Sequence, residues 1–328
     1  MKKLLAPVAA SLAILLTATA CGSGNYEATQ VPPKVQPKQP TPAAPAAPVN
    51  CGNPLASYAP EGTMPQPNVM PAGTFMATIK ARGRLIAGVS ADSLHLGSRN
   101  PITGQIEGFD IDMINAVADA IFGKPAPGKP HAVELRVISS PQRIPSLDSA
   151  KPVDIVARNM TINCDRWKTI AFSAEYYRSG QKTLVPLDST ATKVEDLNGK
   201  TVCAPAGSTS LDNLKKQNPQ VVPITADTDT GCLVLFQQGK AYGISGDDTV
   251  LAGDAAQDPY AKVLPQRFSD EPYGLGISKK HPEFVQFVNQ VLEQIKTDGT
   301  WMTSYNKWLA PDLGKLSSPP SAVYGRAQ

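Results

Sequence analysis

From about residue 77 onward this sequence predicts an α/β protein of two units, each built on a largely parallel sheet. Short apolar runs bounded by turn residues alternate with stretches whose apolar residues recur at helical spacing. That series runs through the chain a second time, and roughly 280 residues of mixed composition give room for two domains. In the first unit, residues 84–89 read as a strand and a helix opens at Asp110 with Ile111, Ile114, Val117, Ala118 and Ile121 on one face. Residues 134–138 follow as a strand, 144–147 as a short helical turn and 154–157 as another strand. The second unit has strands at 183–185, 201–204, 221–224 and 242–245, with helices at 210–217 and 231–238. A late helix carries Phe284, Phe287, Val288, Val291, Leu292 and Ile295 as a core-facing stripe, which Trp301, Tyr305, Trp308 and Leu309 extend. Pro311, Pro319 and Pro320 mark an irregular tail.

The N-terminus reads as an export signal: Lys2 and Lys3, an apolar run to Leu16, then small residues up to Ala20. It is too short for a membrane span with a stop-transfer flank. Small residues before the lone early Cys21 resemble a lipobox, in which that cysteine becomes the acylated first residue of a protein held on the outer face of the cell membrane. Ala18 stands where leucine is usual, and ordinary cleavage after Ala20 is the alternative. Prolines 32, 33, 37, 40, 42, 45 and 48 then form a semi-stiff spacer of roughly 50 Å. Lys+Arg 31 against Asp+Glu 28 leaves a formal charge of +3, or +1 without Lys2 and Lys3, which gives no support for nucleic-acid binding.

A candidate site lies at a strand-to-helix junction, Asn159-Met160-Thr161-Ile162-Asn163-Cys164-Asp165-Arg166. Asn163 is a good N-cap, which puts Arg166 in the first turn of a helix. Free N–H groups there, with an Arg fork beside them, suit a small carboxylate. An ordinary cap beside a solvated Arg fits the same octet.

Besides Cys21 there are Cys51, Cys164, Cys203 and Cys232, which an exported location permits to pair. Cys203 ends a predicted strand and Cys232 begins a predicted helix close by in the expected fold, so these are paired, leaving Cys51 to Cys164. Other connectivities stay open. No C-x-x-C pair is present and His95, His131 and His281 are scattered, so a metal site is disfavoured and no cofactor is expected.

Several motifs, in order and spacing, resemble family 3 extracellular solute-binding proteins, the polar amino acid receptors of ABC importers. They are Gly108-Phe109-Asp110-Ile111-Asp112, the segment from Asn159 through Arg166 to Ala171-Phe172-Ser173, Glu195-Asp196-Leu197-Asn198-Gly199-Lys200, Ala206-Gly207-Ser208-Thr209-Ser210, and the closing Asp298-Gly299-Thr300-Trp301 with Tyr305-Asn306-Lys307-Trp308. Together with the lipobox and spacer, the chain looks most like actinobacterial glutamate- or glutamine-binding lipoproteins. The resemblance implies a two-lobe periplasmic-binding-protein fold of type II, with two crossings near residues 176–180 and 270–273 and a ligand cleft between the lobes. Residues 1–20 are then signal, 21–50 lipidated cysteine and tether, and 51–76 an irregular extension. Residues 77–178 plus 272–311 form lobe 1, 179–271 lobe 2, and 312–328 an irregular tail.

By the same resemblance Arg166 grips the ligand α-carboxylate, assisted by Asn159 and Thr161, while Gly207, Ser208 and Thr209 close from lobe 2. Thr209 could equally cap its helix. Asp247 receives the ligand ammonium, with Asp248 as fallback. Glutamine binders place Asp, Phe and Lys near Ser90, Ser140 and Pro205, and this chain departs from them at each position. Ser90, Ser140 and Arg99 instead suggest a polar, cationic side-chain pocket for glutamate, aspartate or glutamine, although Arg99 in Ser98-Arg99-Asn100-Pro101 fits an exposed loop as well. The partner would be an ABC permease or a transmembrane sensor. Some proteins of this fold are dehydratases, but the sequence has no Gly-x-Ser-x-Gly or His-Glu-x-x-His motif, and no enzyme activity is expected.

Overall fold

The computed structural model describes residues 50–327. The expected signal, Cys21 and Pro-rich spacer lie outside the described residues. The described chain opens as an extended segment and enters helix α1 (Phe75–Arg82), capped by Thr74. Strand β1 (Leu85–Val89) is buried along its whole length, as a strand with helices on both faces must be. A small antiparallel sheet follows, β2 (Asp92–Ser93), β3 (Gly97–Arg99) and β4 (Ile106–Glu107), none of which shows an apolar run long enough to be read from sequence. Gly108 then turns the chain into α2 (Phe109–Phe122) with φ +144°, where a Cβ would lie 2.3 Å from Leu96 O.

After β5 (Val133–Val137), β6 (Ile155–Ala157), α3 (Cys164–Trp167) and β7 (Ile170–Phe172), the chain leaves the first lobe along β8 (Tyr177–Pro186). The second lobe contains β9 (Thr201–Pro205), α4 (Thr209–Gln217), β10 (Val222–Ala226), α5 (Asp229–Gln237), β11 (Gly243–Asp247), α6 (Asp248–Gln257) and β12 (Ala261–Val263). The chain returns along β13 (Ser269–Tyr273) to β14 (Gly276–Ser278), α7 (Pro282–Thr297), α8 (Thr300–Trp308) and α9 (Ala310–Leu313).

The first sheet has the order β5-β1-β6-β14-β7 and the second β10-β9-β11-β8-β12, with β13 added on β8. The outgoing and returning segments therefore run side by side and antiparallel, Tyr177 opposite Tyr273 and Gly180 opposite Asp270. β8 is much longer than the apolar run 183–185 because its first half is polar yet buried. Ser179 Oγ donates to Asp248 at 2.6 Å, and Gln181 Nε2 to Ser210 O at 2.7 Å and Ser245 Oγ at 2.8 Å. Such residues satisfy the ladder without the alternation that marks a strand in sequence.

Lobe 1 packs around Phe109, Trp301, Tyr176 and Tyr273, with Phe109 edge-on to Trp301 at 5.6 Å. Lobe 2 is smaller, with Leu184, Ile244 and Leu251 against a disulfide joining Cys203 on β9 to Cys232 on α5. A second disulfide joins Cys51 of the extension to Cys164 on α3. The tail beyond α9 has little regular structure but is held in place: Ser57 N donates to Val323 O at 2.9 Å and Lys296 Nζ to Pro320 O at 2.9 Å.

Candidate functional site

The lobes meet along a buried polar seam. On the lobe 1 side, β6 gives way to a tight turn at Asn159, whose φ is +37°. That backbone is held by Asp110 at the start of α2: Asn159 N donates to Asp110 Oδ2 at 3.0 Å and Tyr176 OH to Oδ1 at 2.7 Å. Burial outweighs these bonds and pushes the Asp110 carboxyl up to about 6. Ile162 N then donates to Pro272 O at 2.7 Å, which sews the segment to the returning crossing. Asn163 caps α3 by accepting from Arg166 N at 2.9 Å.

Arg166 is buried, with Nη1 donating to Thr161 O at 2.7 Å. Burial lowers its pKa, opposed by the charges of Glu271, Asp247 and Asp212. Beside it are Arg143 and Arg158, which sequence reasoning did not single out. Arg143 donates only to carbonyls: Ser140 O at 3.0 Å, Arg158 O at 3.3 Å, Asn159 O at 3.1 Å and, across the seam, Gly207 O at 3.3 Å. Burial, then the charges of Arg166 and Arg158, press its pKa down to about 9. Arg158, fully buried, donates to Ile138 O at 2.9 Å and Ser140 Oγ at 2.5 Å and lies 3.5 Å from Asp229 of lobe 2. Among the described residues, Arg143 and Arg166 pair with no carboxylate, and Arg158 Nη2 and Asn159 Oδ1 have no partner.

Lobe 2 supplies acids. β11 ends at Asp247, which is buried and accepts from Tyr273 OH at 2.6 Å and Ser210 Oγ at 3.4 Å. Burial, then the nearby Glu271 charge, raises its pKa well above the ordinary carboxyl range. Asp248 instead accepts from Ser179 on β8, so it serves the crossing. Glu271 on β13, 1% exposed, accepts from Thr161 Oγ1 at 2.6 Å and Thr209 Oγ1 at 2.7 Å on one oxygen, and from Asn213 Nδ2 at 2.8 Å and Ser269 Oγ at 2.6 Å on the other. It thus ties both lobes to the crossing. The sequence signal was faint: one of two adjacent acids in Ser269-Asp270-Glu271-Pro272-Tyr273, within a segment expected only to connect.

The remaining expected residues divide. Gly207, at φ +66°, rests on Pro141, and Thr209 reaches within 3.2 Å of Thr161 Oγ1. The Ser208 hydroxyl is engaged as the α4 cap, accepting from Leu211 N at 3.1 Å and donating to Pro205 O at 2.6 Å. Ser90 donates to Asp92 at 2.7 Å and lies 3.0 Å from Ser93 Oγ, which itself donates to Asp229 at 2.9 Å. Arg99 is not in the cleft. Its Nη1 closes the exposed β3–β4 turn by donating to Gly104 O at 2.6 Å, whereas the buried cations beside Arg166 are Arg143 and Arg158.

With this geometry, residues 85–311 match the family described as bacterial extracellular solute-binding proteins, family 3. The chain belongs to that family. It is 38% identical over 211 residues to a glutamine-binding protein of Geobacillus stearothermophilus, covering 64% of this chain and 78% of that one. It is 30% identical over 251 residues to the glutamate-binding protein GluB of Corynebacterium glutamicum, covering 74% and 82% respectively. Among solved structures it resembles an ancestral amino acid-binding protein, a precursor of cyclohexadienyl dehydratase, with TM-score 0.64 and 31% identity over 72% of this chain and 99% of that one. The fold is that of the type II periplasmic amino acid-binding proteins, and the relatives named for a ligand are amino acid receptors.

Proposed function

We propose that this protein is a receptor for an amino acid with an acidic or amide side chain, aspartate and glutamate before glutamine, which it binds by lobe closure and passes to an ABC permease. The observation that carries this reading is a set of buried guanidinium groups without matching carboxylates on one wall, facing a buried carboxylate without a matching cation on the other. A buried unpaired charge is costly, and an anion that supplies hydrogen bonds as well as charge removes that cost. Arg166 takes the α-carboxylate in a forked contact. Asp247 takes the ammonium. Arg143, fenced by carbonyls and short of negative charge, attracts the side-chain carboxylate or the amide oxygen.

Because the ligand's charges are satisfied only when both walls are present, its differential affinity shifts the open–closed equilibrium toward closure. Its glutamine- and glutamate-binding relatives support reading the protein as a binder. Attachment through Cys21 would keep the receptor near a permease in the membrane. Titration calorimetry with the twenty amino acids, after stripping co-purified ligand by unfolding and refolding, tests the reading. Tightest binding is expected for the dicarboxylic amino acids. Tight binding of lysine or arginine alone, or of no amino acid, overturns it.

A further inference from the structure

The family match spans residues 85–311, yet described segments on either side of it, residues 51–58 and 323–326, meet at one spot, the single-turn helix α3 that carries Arg166. A helix of one turn has no stability of its own, so its position is set by what packs on it. Cys164, its first residue, is disulfide-bonded to Cys51 of the extension. Trp167, its last, donates Nε1–H to Pro54 O at 2.8 Å and meets Tyr58 edge-on at 5.9 Å. From the tail, Arg326 lays its guanidinium 3.9 Å over the Trp167 ring while donating to Ala56 O at 2.7 Å and Asn53 O at 2.9 Å. Extension and tail are also joined to each other through Ser57 N on Val323 O at 2.9 Å and Arg326 N on Ser57 O at 3.2 Å.

The same clasp reaches the segment between β7 and the outgoing crossing. The fully buried Asn289 donates to Ser57 Oγ at 2.9 Å and Tyr58 O at 2.8 Å, and its own oxygen accepts from Ala174 N at 2.7 Å. Ser57 Oγ donates in turn to Phe172 O at 2.7 Å.

We infer that residues 51–58 and 323–326 form a clasp that sets the position of Arg166, with Cys51, Trp167 and Arg326 as positioning residues for the ligand α-carboxylate. This rests on the receptor reading above. An Arg fork held from both ends of its helix loses less freedom on binding, and part of that preorganisation comes from outside the shared domain.

The test compares the full exported chain with its Arg326→Ala and Cys51→Ser/Cys164→Ser variants. Affinity is measured for the best-bound amino acid and for its α-carboxamide, which offers Arg166 no charge. Hydrogen exchange of residues 160–169 is followed in ligand-free protein. Arg326→Ala is expected to weaken amino acid binding about fivefold, the worth of one cation–π contact, and the disulfide variant about tenfold. Both should raise exchange across α3 while changing α-carboxamide binding by less than about twofold. If the amino acid and its α-carboxamide lose affinity equally, or exchange in α3 is unchanged, the clasp supports lobe 1 in general and the inference is overturned. Should Cys51→Ser/Cys164→Ser fail to fold, Arg326→Ala decides alone. A wild-type chain that binds no amino acid overturns the receptor reading itself, a result distinct from a wild-type chain that binds while its variants bind as well.

Discussion

Lobe 1 faces the cleft with guanidinium groups, Arg143, Arg158 and Arg166, whereas lobe 2 and the returning crossing face it with carboxylates, Asp229, Asp247 and Glu271. The two walls also differ in how they are held. Arg158 leads into a turn with positive φ at Asn159 and Arg166 sits on a single-turn helix braced from outside, whereas Asp247 ends a strand in the middle of a sheet. Charge is thus sorted by lobe, and a zwitterion is the small molecule that complements both walls at once. The sorting also favours approach of the lobes themselves: Arg158 lies near Asp229 across the seam and Thr230 Oγ1 donates to Asp92 O at 2.7 Å. A ligand that draws the lobes together would have to serve the groups they leave unmatched, chiefly Arg166, Arg143 and Asp247.

The strongest way to break this comparison is Arg166→Ala. Removing one partner of a buried charge pair costs about 3 kcal/mol, roughly a hundredfold in affinity, and calorimetry should show every amino acid losing at least that much. Asp247→Asn removes the opposite pole and should weaken binding by roughly ten- to a hundredfold. It should also change the pH dependence. A raised pKa means that free Asp247 holds its proton above the ordinary 3.8. A bound ammonium favours the ionised form, so binding releases a proton and affinity rises with pH through a window that ends at that raised value. Calorimetry in buffers of different ionisation enthalpy should detect proton release from the wild type near the upper part of that window and none from the variant.

Arg143→Met sharpens the comparison because it separates function from stability. Aspartate or glutamate should lose about tenfold in affinity and the corresponding amides distinctly less, since a charge-assisted hydrogen bond is worth about twice a neutral one. The ligand-free variant should melt within a few degrees of the wild type, because relief of an unpaired buried cation offsets the loss of the donor to the carbonyls of Ser140, Arg158, Asn159 and Gly207.

The last effect bears on stability alone and concerns Asp110, which holds the Asn159 turn. Its carboxyl rises from 3.8 to about 6 on folding, so the folded state binds the proton more tightly than the unfolded one. This contribution to stability is complete below 3.8 and is lost as pH rises through about 6. Urea unfolding at pH 4 and pH 7 should show a loss of about 2 kcal/mol from this group in the wild type and none from it in Asp110→Asn. An unchanged pH dependence in the variant would place the titration elsewhere.

What could be read beforehand follows how local each feature is. The Asn163 cap is local: its acceptor and donor are three residues apart, and the octet announced it. The α2 and α7 stripes are likewise local, and their periodicity is plain in the sequence. The start of β8 was hidden because buried Ser179 and Gln181 make it polar, and β2, β3 and β4 are too short to show a period. Arg99 looked like a site residue only because its nearest partner, Gly104 O, lies across a turn whose geometry the sequence does not print.

The amino acid order by itself determined the periodic elements, the caps, the family and the octet ending in Arg166, since each depends on neighbours within a few residues. Tertiary structure alone decided that Glu271 would join Thr161 to Thr209, that Arg143 would be enclosed by carbonyls, and that residues 51–58 and 323–326 would converge on α3. These follow from which groups are buried together. Burial couples residues more than a hundred positions apart, such as Thr161 and Glu271 at a separation of 110, through charge and hydrogen bonding that no local pattern encodes.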